Sequence, residues 1–136
     1  MHTNIGTVDG GAMKDNLTAL GQNLGAFAAD LGDRLADVTL VGMTEFGRRV
    51  SQNGNAGADH GHGSTVLLMG GGLAGGTVHG RWPGLAPGVL VQGDVPGAND
   101  FRDVLGELVV RRLGVGPAAL GTIFPGHAFH PLGVTR

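Results

Sequence analysis

The clearest periodicity in the chain lies between residues 13 and 35. Leu17, Leu20, Leu24, Phe27, Ala28, Leu31 and Leu35 recur at spacings of three and four, which predicts one apolar stripe of an amphipathic helix. Asp15 or Asn16 is placed to cap its start, and Gly32 to end or kink it. Directly afterwards comes Asp37-Val38-Thr39-Leu40-Val41-Gly42-Met43-Thr44, an apolar, β-branched run without polar alternation. That is the pattern of a strand covered on both faces, as in a parallel sheet. A second such run, Thr65-Val66-Leu67-Leu68-Met69, leads into Gly70-Gly71-Gly72, and a short strand is expected around Thr77–His79. Asn99 or Asp100 opens a second helix, with Phe101, Val104, Leu105, Leu108, Val109 and Leu113 on one face and Gly114 closing it. The pattern predicts an α/β fold: part of a mixed or mostly parallel sheet, with Ala12–Leu35 and Asp100–Leu113 as flanking helices. The strands Val38–Met43 and Thr65–Met69 are expected to be neighbours. The irregular segment 45–63 follows the carboxyl end of the first strand, the edge at which open α/β sheets bind ligands.

Composition narrows the function classes. At 136 residues the chain has the size of one domain, and 41% hydrophobic residues provide material for a core. Its 28 glycines show no three-residue period, which excludes a collagen-like rod. The absence of cysteine excludes thiol catalysis, disulfides and cysteine-ligated zinc. A net charge of −2 and nine scattered Lys and Arg residues provide no basic stripe, so no nucleic-acid partner is expected. The start, Met1-His2-Thr3-Asn4, has no basic segment leading into an apolar run, so no signal peptide is expected. The longest uncharged apolar stretch, Thr65 to Val78, is interrupted by glycines and falls short of the ~20 residues of a membrane span. Gly70-x-Gly72-x-x-Gly75 matches a dinucleotide fingerprint in letters. It is followed by Gly76-Thr77-Val78-His79-Gly80 where a helix is needed, and no nucleotide cofactor is expected.

Chemistry concentrates in one loop. Asp59-His60-Gly61-His62 offers a carboxylate and imidazoles, good ligands for zinc, manganese or iron, between glycines that let the backbone come close to a ligand. The same letters also describe an Asx-turn with solvated histidines. Glu45 stands directly after the first strand, where α/β enzymes place functional carboxylates. It equally suits a helix cap or an ion pair with Arg48 or Arg49. His2, near the terminus, would by itself be a solvated residue, and His79, His127 and His130 have no partner at local spacing.

Met43-Thr44-Glu45-Phe46-Gly47-Arg48, then Asn53-Gly54, then Gly57-Ala58-Asp59-His60 resemble the DUF1501 family, bacterial proteins of unknown function placed near the alkaline phosphatase and sulfatase superfamily. The glycine-rich segment Gly70 to Gly80 and the match of His2-Thr3-Asn4 to the end of a Trp-Asp-x-His segment extend the resemblance over the whole chain. It implies a single domain, residues 1–136, corresponding to the carboxy-terminal part of the family and truncated before Met1. It also implies an alkaline-phosphatase-like sheet and a metallohydrolase-like site. Glu45, Asp59, His60, His2 and His62 are the implied metal ligands, with Arg48 as an oxyanion clamp and a small phosphate or sulfate ester as substrate. Phe46 stands where the superfamily often has a histidine. A chain without the other half of the site is expected to bind a divalent metal without turnover, and to form a homo-oligomer or pair with the missing amino-terminal half. The alternative is a non-catalytic binding or assembly module that keeps the fold around a decayed site. Full-length relatives carry export signals, which implies a periplasmic location for them.

Overall fold

A computed structural model describes residues 2–7 and 9–136. The elements follow in the order α1 (Ala12–Leu31), β1 (Thr39–Gly42), β2 (Gly47–Arg48), β3 (His60–Gly61), β4 (Leu67–Gly70), α2 (Phe101–Arg112) and α3 (Leu120–Ile123). Short 3-10 turns lie at Gly32–Asp37, Pro87–Val89 and Pro117–Ala119. Helices and strands are thus mixed, as the pattern predicts, but the sheets are small and antiparallel. β1 pairs with β4 in the register Thr39 opposite Gly70 and Gly42 opposite Leu67. β2 pairs with β3, Gly47 opposite Gly61. The two apolar runs are neighbours, but they run in opposite directions. Parallel strands need a crossover connection, usually helical. Between β1 and β4 the chain instead makes only the β2–β3 ladder and loops. No strand forms at Thr77–His79.

The chain divides into two compact units. One comprises Ala36–Met43, Val66–Trp82 and Ala98–Arg136. Its core is Leu73, Val104, Leu108 and Val134, with Val41, Val66, Leu68 and Leu132 packed against it. Asp100 is the cap of α2, its carboxylate accepting the Arg102 backbone N–H at 2.9 Å. At the other end Gly114, with φ +66°, turns the chain out of the helix as expected of a glycine there. Two carboxylates one turn apart on α2 are buried, Asp103 and Glu107. Glu107 accepts bonds from the backbone of Leu132, Gly133 and Thr135 at 3.0, 2.9 and 2.7 Å, and from the Thr135 hydroxyl at 2.6 Å. Asp103 accepts from the His130 backbone at 2.8 Å and stands 2.7 Å from His127 Nε2. The tail, aperiodic in sequence, is therefore fastened to α2 by carboxylates and to Gly72–Ala74 by backbone bonds from Ala74 to Val134 and from Arg136 to Gly72.

The other unit comprises Met1–Leu35, Thr44–Thr65 and Pro83–Gly97. Its helix α1 begins at Ala12 behind Gly11, without a side-chain cap, so Asp15 sits inside the first turn. It ends at Leu31 before Gly32, which bonds back to Ala28 with φ +51°. None of its residues is buried; Leu17, Leu20 and Phe27 stay 58%, 47% and 41% exposed. Among the described residues Ala58 is the one buried hydrophobic side chain of this unit. Its cohesion comes from backbone pairing: Asn4 and Ile5 donate to Asn55 and Ala56, Arg49 to Asp59, and Gly63 to Val95.

Candidate functional site

The site is assembled where the first residues of the chain lie along the loop between β2 and β3. Asn4 N–H to Asn55 O at 2.9 Å and Ile5 N–H to Ala56 O at 3.0 Å set the two segments side by side. At Gly57 the approach leaves no room for a side chain: a Cβ there would stand 2.1 Å from the carbonyl oxygen of His2. His2 is thereby brought to the end of the loop that carries Asp59 and His60.

His2 uses both ring nitrogens. Nδ1 lies 3.1 Å from Asp59 Oδ1, and Nε2 lies 3.1 Å from His60 Nε2. With Asp59 ionised, the first contact places the proton on Nδ1 and leaves the Nε2 lone pair directed at His60. His60, at the start of β3, is held by its rings: it stacks on Phe46 at 3.6 Å between centroids, and its ring centre is 4.6 Å from that of His2. Arg48 lies over the other part of this stack, its guanidinium carbon 5.2 Å from the Phe46 centroid, and donates to Ala58 O at 2.8 Å. Phe46, the residue that departs from the expected histidine, is thus the platform under His60.

The electrostatics follow from these contacts. The Asn53 amide, donating to Asp59 Oδ1 at 2.8 Å, is the foremost cause that holds the Asp59 carboxyl below its ordinary value, with His2 second. His60 titrates below its ordinary value, first because ring packing displaces water from it, then because His2 and Arg48 disfavour a further positive charge. Both shifts favour a carboxylate and a neutral imidazole, the forms that bind metals.

Of the residues singled out in sequence, His2, Asp59 and His60 come together, with Arg48 behind them. Glu45 is exposed ahead of β2, and among the described residues it makes no hydrogen bond or ion pair to this group. His62 is exposed and lies against Gly97, where a Cβ would be 2.8 Å from its Nε2. Among the described residues no group of three or more His, Cys, Asp or Glu converges as a complete metal cage. The fit to a metal is that of a partial set. Two nitrogens bound to one zinc at ~2.0–2.1 Å in tetrahedral geometry are roughly 3.3–3.4 Å apart. The two Nε2 atoms at 3.1 Å are close to that spacing. Asp59 bonds the opposite side of His2, the place of an orienting carboxylate behind a ligand histidine. In sequence, Asn53 has no visible role beyond its motif. Its signal was the Asn-Gly pair six residues before Asp59, a turn pattern whose side chain bonds backbone ahead of it.

Residues 1–96 match the model of a family described as "Protein of unknown function (DUF1501)". No curated protein and no solved structure matches the chain.

Proposed function

We propose that this chain, which belongs to the DUF1501 family, carries a divalent-metal-binding corner of a metallohydrolase-like domain related to alkaline phosphatases and sulfatases. The observation that carries the reading is the convergence of His2 Nε2 and His60 Nε2 at 3.1 Å, with Asp59 on the far side of the His2 ring. His2 and His60 hold the ion, and Asp59 fixes the tautomer and orientation of His2. Phe46 keeps the His60 ring from rotating away. Two neutral imidazoles suit zinc or iron better than manganese, which prefers oxygen ligands. A divalent ion bound there would polarise a phosphoryl or sulfuryl oxygen and acidify a coordinated water. Arg48, fixed by Ala58 and Phe46, has further N–H groups for the anionic oxygen of a small phosphate or sulfate ester. Glu45 and His62 take no part in this arrangement. A two-metal hydrolytic centre needs two ligand sets, so two imidazoles are expected to bind metal without ester turnover by this chain alone.

A second reading, a non-catalytic binding or assembly module, is favoured by α1, whose apolar stripe stays exposed at Leu17, Leu20 and Phe27. Zinc titration calorimetry separates the two. The first reading expects one zinc per chain, lost in His60→Ala; a wild-type chain that takes up no zinc overturns it.

A further inference from the structure

The Asn53 side chain hydrogen-bonds to both segments of the site. Its Nδ2 donates to the backbone carbonyl of His2 and to Asp59 Oδ1, both at 2.8 Å. Its Oδ1 accepts the backbone N–H groups of Asn55 and Gly57 at 3.0 and 2.9 Å. A carboxamide has two N–H donors and two acceptor lone pairs, and all four are used here. The two ends do different work. The oxygen end builds the loop, closing the turn that brings Asn55 and Ala56 alongside Asn4 and Ile5. The nitrogen end fastens the main chain of His2 and, at the same time, the carboxylate that accepts from His2 Nδ1. One residue thereby fixes the position of the His2 backbone and the orientation of its ring.

We propose that Asn53 is a positioning residue of this site, setting the His2 imidazole so that its Nε2 meets that of His60. The proposal rests on the reading of His2 and His60 as a metal-holding pair for its consequence, but not for its geometry. Asn53→Asp separates the two ends: the carboxylate keeps the acceptor for Asn55 and Gly57, and loses both donors. It also sets a negative charge against Asp59 and the His2 carbonyl. Asn53→Ala removes everything and serves as the comparison for loop damage.

Two measurements on the full chain test this, with circular dichroism as the check on folding. Long-range proton–nitrogen NMR of the metal-free protein reads the His2 tautomer, expected to be Nδ1–H in the wild type and a mixture in Asn53→Asp. Titration with zinc alone is expected to show about a 10–100-fold loss of affinity in Asn53→Asp, the usual cost of removing an outer-shell partner. A folded Asn53→Asp protein with the wild-type His2 tautomer overturns the proposal. So does wild-type zinc affinity in that variant. If the wild type binds no zinc but the tautomer changes in Asn53→Asp, the positioning role stands and the metal reading fails. If Asn53→Asp fails to fold, the proposal is overturned, because its retained acceptor was argued to suffice for the loop.

Discussion

At the scale of single residues, the site depends on orientation rather than on an accumulation of ligands. Asp59 and His2 are both about half exposed, so their 3.1 Å contact has little worth as an ion pair. Its value lies in choosing the ring nitrogen that carries the proton. Asp59→Asn is therefore expected to leave folding intact while lowering zinc affinity about 10–100-fold, measured by calorimetry. Gly57→Ala should act through the backbone instead. The methyl group would overlap the His2 carbonyl, so the amino-terminal segment must leave the loop. Zinc binding should be lost, and the NMR shifts of residues 2–5 should move while those of α2 stay in place. Asp59 and His60 were legible in sequence as a carboxylate and imidazole between glycines, a pattern that an Asx-turn with solvated histidines shares. Asn53 was not legible as a site residue, since its role depends on a segment about fifty residues away. Phe46 was visible only as a departure from a pattern, since a stacking role shows itself only when the second ring is in place.

At the scale of elements, α2 and α1 show two ways for a helix to be held. α2 is anchored by Asp103 and Glu107. Burial alone would raise the Glu107 carboxyl, but bonds from Thr135 and Gly133 outweigh it and the net shift is downward. Glu107→Ala is expected to cost about 3 kcal/mol, since hydrogen bonds to a charged group contribute ~1.5–3 kcal/mol and several donors lose their partner together. Urea unfolding measures it, with Thr135 amide exchange as the local reporter. Asp100 contributes a pH dependence of stability. The Arg102 side chain bonds it at 2.6 and 2.9 Å and lowers its carboxyl to about 2. Its folded value lies below the unfolded 3.8, so its contribution is complete above pH ~4 and disappears as the pH falls towards 2. Asp100→Asn should flatten the stability profile across that window, read from denaturation curves at successive pH values. Both long helices were legible because their apolar spacing continues for several turns. Strand direction was not, because an unbroken apolar run records burial and carries no information on the direction of its neighbour. The order of the tail was not legible, because it comes from donors that meet α2 carboxylates, a contact without periodicity.

At the scale of the whole molecule, the two units differ in what holds them. The unit containing α2 has the buried cluster Leu73, Val104, Leu108 and Val134, whereas in the other Ala58 is the one buried hydrophobic residue among those described. α1 also contains Gly21 and Gly25 in its interior, each costing ~0.8–1.0 kcal/mol relative to alanine. Helix propensity without a buried face gives little stability. Hydrogen exchange should therefore find α1 amides opening well before those of α2, by at least tenfold in protection. The exposed Leu17, Leu20 and Phe27 should make the purified chain self-associate, and glutamine at all three should reduce association in light scattering without reducing the helical signal of α2.

Two imidazoles, from opposite ends of the first sixty residues, are proposed to bind one metal. Zinc K-edge absorption spectroscopy of the zinc-loaded protein tests this most directly, because imidazole rings have their own multiple-scattering signature and can be counted. Two histidines per zinc in the wild type, with no zinc retained by His60→Ala, is the predicted result. A shell of oxygen atoms alone, or an unchanged histidine count in that variant, would contradict the account.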